Sequence, residues 1–244
     1  LEYAYVGVRA LDNILSMQYY PFTAAKRHND LYRPIGVGIT GLAYWLAKNG
    51  LRYDNCYELL DKWADFWSYS LIKASVELAQ ERGACEGIKN TKWGRGLFPV
   101  DYYPAKVDTI TPKVSRQHWE ELRPLLKEYG IRNATVMALM PGETSSKVSG
   151  RGTTNGVEPV RSYIVQKGGK SSKAKFVLPE LERLKDNYDL VWEWKGCSQL
   201  IKTYAILQKY VDQGISCNTY YYICNFRIFI LYFQNGKIKL TRKI

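Results

Sequence analysis

Residues 134–161 read ATVMALM-PGETSSKVSGRGTTNGVEPVR, and this stretch decides the fold. Ala134–Met140 is a continuous apolar run of strand length closed by Pro141. Such a run suits a strand covered on both faces, as in a parallel sheet. Pro141-Gly142 then suits a tight turn, and Thr144, Ser145 and Ser146 suit the start of a helix. A helix start leaves backbone N–H groups without partners, so amides and hydroxyls together form an anion cradle. Lys147 adds positive charge beside it. The residues therefore point to a phosphate site at a strand-to-helix junction. A capped helix that holds no ligand is the competing reading.

Outward from this stretch, helices alternate with short apolar strands. Leu1–Met17 has apolar residues at helical spacing, with Val6, Ala10, Ile14 and Met17 as the expected core stripe and Leu11 and Leu15 beside it. Residues 33–48 open with a short glycine-rich apolar run, read as a strand, and continue into a helix that stops at Asn49-Gly50. Residues 54–82 form a long helical pattern, with Trp63, Phe66 and Trp67 on one face and then Leu71, Ala74 and Leu78. Residues 84–112 read as irregular. Helices are expected over 118–129 and 196–214, the latter with Leu200, Tyr204, Leu207 and Val211 as its stripe, and a strand over 162–167. The alternation predicts an α/β fold.

Bulk properties narrow the function classes. The chain has 244 residues, 46% of them hydrophobic, which is ordinary for a globular domain or a large part of one. Its apolar stretch Tyr220–Phe233 is broken by Asn225 and Arg227 and falls short of the roughly 20 residues of a spanning helix. No secretory signal pattern is visible, so a soluble, cytoplasmic protein is expected, with no membrane partner. The net charge of +12 invites a nucleic-acid reading. The charges are scattered, however, and the densest run, residues 167–175, reads as a solvated basic loop, which argues against nucleic acid. Five cysteines and two histidines show no zinc-site spacing, so no metal is expected, and an odd cysteine count suggests reduced thiols.

The segment ALMPGETSS followed by TNGVEP closely resembles the substrate-phosphate loop of class I ribonucleotide reductase large subunits. Residues 19–27 (YYPFTAAKR), 33–53 (RPIGVGITGLAYWLAKNGLRY), 70–85 (SLIKASVELAQERGAC), 130–140 (GIRNATVMALM) and 200–218 resemble the same family. The resemblance implies the C-terminal part of a ten-stranded α/β barrel, incomplete on its own. It implies that Thr144 and Ser145 bind the phosphates of a ribonucleoside diphosphate, assisted by Ser146 and neighbouring amides, with Pro141, Gly142 and Glu143 in the same loop. The family usually has Ser where this chain has Gly142, so a serine there is expected to be neutral or to tighten binding.

What the resemblance leaves out matters equally. The family's thiyl-radical cysteine, its Asn and Glu partners and the nucleotide cone all lie upstream of the region that resembles this chain. No catalytic residue is therefore assigned. Cys85 matches a structural-looking family cysteine, and Cys56, Cys197 and Cys217 are expected as buried thiols on helices or their ends. An N-terminal part of the large subunit is implied as a partner, and so is a metal-containing small subunit that supplies the radical; no cofactor is expected on this chain. Residues 1–221 are read as barrel and 222–244 as a divergent tail, apolar and β-prone. There LYFQN (231–235) echoes the family's tyrosine-pair segment with Phe233 in place of the second tyrosine. The alternative is a catalytically inactive structural or interaction fragment.

Overall fold

A computed structural model of the chain describes residues 1–148, 153–167, 174–220, 228–234 and 237–243. Seven α-helices appear among them: α1 (Glu2–Met17), α2 (Thr23–Tyr32), α3 (Leu42–Lys48), α4 (Tyr57–Arg82), α5 (Gln117–Tyr129), α6 (Leu181–Leu184) and α7 (Ser198–Gln208). Strands β1 (Ile164–Lys167) and β2 (Ala174–Val177) pair antiparallel, as do β3 (Ile228–Gln234) and β4 (Lys237–Lys243). The basic run 167–175 lies mostly outside the described residues.

The core is organised around α4, which packs on α1, α5 and α7. At 26 residues it is about 39 Å long. Leu60, Ala64, Leu71 and Leu78 are buried on it, Trp119, Leu122 and Leu126 on α5, and Leu200 and Leu207 on α7. The indole N–H of Trp119 donates to Asp65 at 2.8 Å, which gives this buried ring its polar partner. Phe66, grouped with the tryptophans in the sequence reading, is 59% exposed.

Two extended segments run parallel where strands were expected. The Ile35 amide donates to Thr135 O (3.0 Å), Val37 to Val136 O (2.9 Å) and Ala138 to Val37 O (3.0 Å). Their approach needs glycine: a Cβ on Gly36 would lie 2.8 Å from Ala138 Cβ, and one on Gly38 would lie 2.4 Å from Ala138 O. On the far edge of the 134–140 segment a side chain substitutes for a neighbouring strand. Asp212 accepts from the amides of Val136 (2.6 Å) and Met137 (3.2 Å), and Ser216 donates to Leu139 O (3.3 Å). The edge bearing the Gly36 and Gly38 amides makes no backbone hydrogen bond among the described residues.

Asp12 ties α1 to this sheet and to α4. Its fully buried carboxylate accepts from Arg33 (2.6 Å), Arg82 (3.2 Å), Asn133 (3.3 Å) and Arg132 (3.4 Å). Burial alone would raise this carboxyl; Arg33 and Arg132 outweigh it and hold the group below the usual carboxylate range.

Three expectations need correction. The α1 stripe expected in the core is on the surface: Val6, Ile14 and Met17 are 57, 53 and 83% exposed, while Val8 and Asp12 are buried instead. The packed face is set by α4 and the Asp12 ion network, which apolar periodicity cannot reveal. The helix expected after Pro141 shrinks to one 3-10 turn, Ser145–Lys147. The helix expected over 196–214 spans Ser198–Gln208, because Asp212 leaves it to accept from the Val136 and Met137 amides.

Candidate functional site

The extended 134–140 segment, which forms an isolated bridge and no regular strand, ends at Met140, and Pro141 and Gly142 follow it. Gly142 has φ 64°, the left-handed region. A Cβ there would sit 3.2 Å from Gly156 N and 3.6 Å from Thr40 Cγ2. The second half of the motif supports the turn from below. Gly156 N donates to Pro141 O at 2.8 Å, and a Cβ on Gly156 would overlap Met140 O at 2.3 Å. The same segment caps α3: Thr154 O and Asn155 O accept from Gly41 N (both 3.1 Å), Gly156 O accepts from Leu42 N (3.2 Å), and the Thr154 hydroxyl accepts from Tyr44 N (3.2 Å). The Gly41, Leu42 and Tyr44 amides at the start of α3 are therefore occupied.

Within the turn over residues 143–147 the predicted residues divide. Ser146 is buried, with its hydroxyl donating to Glu143 O at 3.2 Å, so it braces the turn from inside. Lys147 Nζ donates to Thr153 O at 3.2 Å, which ties the turn to the TTNG segment. Thr144 and Ser145 are exposed. Among the described residues nothing hydrogen-bonds their hydroxyls or their amides, while Ser146, Lys147 and Val148 amides are used within the turn. Pro141 is half-buried, Gly142 is buried, and Glu143 is half-buried in an ion pair with Arg161.

A pocket of about 300 Å³ opens beside the turn, lined by Glu143, Lys147, Asn155, Arg161, Ser162 and Gln166 among others. Arg161 stands between two carboxylates, Glu143 and, at 3.8 Å, the fully buried Glu158. Asn218 donates to the other Glu158 oxygen at 2.5 Å. Sequence reading placed Glu158 and Arg161 in the motif but gave them no role. Their pairing with Glu143 and Asn218 spans up to 60 residues and leaves no local signal.

The family model described as "Ribonucleotide reductase, barrel domain" matches residues 2–236 of the chain. The chain belongs to the ribonucleotide reductase barrel-domain family. It is 42% identical over 217 residues to the ribonucleoside-diphosphate reductase subunit alpha of Haemophilus influenzae, which covers 88% of this chain and 28% of that protein. It is 43% identical over 209 residues to the ribonucleoside-diphosphate reductase 1 subunit alpha of Escherichia coli K12 (85% and 27%). With the alpha subunit of Enterobacteria phage T4 it shares 42% over 222 residues (90% and 29%). This reductase barrel chain thus spans little more than a quarter of the relatives it matches, in their C-terminal portion. Its mixed helices and few strands are an incomplete part of an α/β barrel.

Cysteines in this part of the reductase barrel are mostly inert. Cys56, Cys85 and Cys197 are buried and reduced, whereas Cys217, expected buried, is exposed in the loop after α7. Burial pushes the Cys56 thiol up to about 11 and raises Cys85. Cys224 lies outside the described residues. No His/Cys/Asp/Glu group with metal-site geometry occurs among the described residues, and no described helix is long and apolar enough to cross a membrane.

Proposed function

We propose that this chain is the C-terminal part of a ribonucleoside-diphosphate reductase large subunit, and that its Pro141–Ser146 loop grips the diphosphate of a ribonucleotide bound for deoxyribonucleotide synthesis. The observation that carries this reading is the pair of exposed hydroxyls and unengaged amides of Thr144 and Ser145 at the end of a buried strand. A mere helix cap would turn such hydroxyls inward to its own amides. Lys147 and Arg161 line the adjoining pocket, with the Arg161 charge shared between Glu143 and Glu158. Ser146 supports the loop from beneath, and Gly142 allows its turn.

In this proposal an N-terminal part of the large subunit carries the radical cysteine, and a metal-containing small subunit generates the radical. No cofactor sits on this chain, and the assembly is cytoplasmic. Residues 1–221 are the barrel portion and 222–244 a divergent tail, although the family match reaches residue 236. Phenylalanine at 233 has no O–H to lose and cannot take a tyrosine's relay step.

The test is the double variant T144A/S145A in the complex assembled with the N-terminal part. Hydrogen bonds to a charged group contribute about 1.5–3 kcal/mol each, so nucleotide affinity should fall at least tenfold. The melting temperature should hardly move, because both hydroxyls face solvent. A variant that melts lower yet binds nucleotide as tightly as the parent would refute the assignment.

A further inference from the structure

Helix α1 is apolar on two opposite faces. One face, with Val8, Leu11 and Leu15, packs into the core against α4. Two charged residues of α1 serve that side: Arg9 pairs with Glu81, and Asp12 is the buried hub. The opposite face carries Tyr3, Val6, Ala10, Ile14 and Met17, spaced every three or four residues with no charge among them. All five are exposed, Tyr3 at 92% and Met17 at 83%, and Phe22 just beyond the helix is 72% exposed. A continuous apolar stripe on a surface marks an interface.

We propose that this α1 stripe is the docking surface for the N-terminal part of the reductase large subunit. The inference rests on reading the chain as part of a larger barrel. Two observations favour this occupant over a second copy of the chain. The relatives are single subunits more than three times as long, and this chain matches only their C-terminal portion. The parallel pair that begins at Ile35 is also open along its Gly36–Gly38 edge among the described residues, so further barrel strands are needed on this unit. α1 supplies the apolar cover that the missing portion would meet.

The probe is the portion of the phage T4 alpha subunit that precedes its matched region, mixed with the full chain. Affinity is measured by biolayer interferometry, and the chain's own mass by light scattering. The variant V6D/I14D places two charges on the stripe at exposed positions, so its helix content should match the parent's. F66D, on the exposed side of α4, is the control. The expected result is a complex with the parent and with F66D, weakened at least tenfold in V6D/I14D. Parent and V6D/I14D binding equally would overturn the placement while leaving the partial-barrel reading intact. A parent that does not bind the T4 portion at all would overturn both. A parent that dimerises through the stripe, with V6D/I14D monomeric, would assign the face to a second copy and overturn the proposal.

Discussion

At Gly142 the backbone adopts φ 64° with Gly156 N 3.2 Å from where a Cβ would lie. The sequence suggested that serine, usual in the family at this position, would be neutral or helpful. The left-handed conformation argues otherwise, since it costs an L-residue about 1–2 kcal/mol. G142S should therefore lower stability by about 1 kcal/mol and bring no gain in nucleotide affinity; chemical denaturation and a binding titration would show it, and a tighter-binding variant of unchanged stability would contradict it. Asp12 is the position where one atom matters most. D12A leaves Arg33, Arg82 and Arg132 without their shared buried partner, a loss of about 3–5 kcal/mol that denaturation would read as a collapse of the transition. Asp212 behaves oppositely with pH. Burial pushes its carboxyl from 3.8 up to about 6, so the folded chain binds a proton there that the unfolded chain releases. Its contribution to stability is complete below about pH 4 and is lost as pH rises through about 6. Asp12, held low, contributes above the unfolded carboxylate pKa and loses its contribution as pH falls. The parent's margin over D212N should narrow by about 2–3 kcal/mol between pH 4 and pH 7, and a constant margin would contradict this. Thr144 and Ser145 could be singled out because hydroxyls after Pro-Gly are a local signal, and their phosphate role is the proposal under test. Arg161, Glu158 and Asp12 were not, because each acquires its meaning from partners far away in sequence.

Among the elements, those with strong local signals were legible. α4 ends at Gly83 and α5 at Gly130, as their glycines suggest. The apolar run 134–140 is extended and parallel to residues 35–37, as its continuous hydrophobicity implied. The orientation of α1 was not legible, because a helix with two apolar faces gives periodicity no way to choose between them. The shortness of the turn after Gly142 was also hidden, since Ser146 bends back to Glu143 O instead of extending a helix. One consequence can be read by hydrogen exchange. In the chain alone the Gly36 and Gly38 amides should exchange faster than those of Ile35 and Val37, which donate to residues 135 and 136. On assembly with the N-terminal part the two glycine amides should slow, by edge pairing. Glycine amides already as protected as their neighbours in the isolated chain would mean that this edge is covered.

The described residues form an α/β unit with a coherent core around α4, one edge of the parallel pair capped by Asp212 and the other without a backbone partner among them. Family and fold class were legible because the loop motif and its flanking segments are specific in combination. Incompleteness was legible from the partial resemblance, whereas the exposed face of α1 appears only in the structure. The isolated chain should show no thiol-dependent conversion of ribonucleoside diphosphate, since abstraction of a substrate hydrogen requires a radical group held at the reacting carbon. Product formed by the pure chain would refute that. The most direct measurement compares a ribonucleoside diphosphate with its unphosphorylated nucleoside, each titrated calorimetrically into the assembled complex. A loop that grips phosphate makes the diphosphate bind at least tenfold tighter than the nucleoside with the parent chain, and T144A/S145A should shrink that ratio at least tenfold. A ratio that stays the same in parent and variant would show that the Pro141–Ser146 loop does not hold the phosphates.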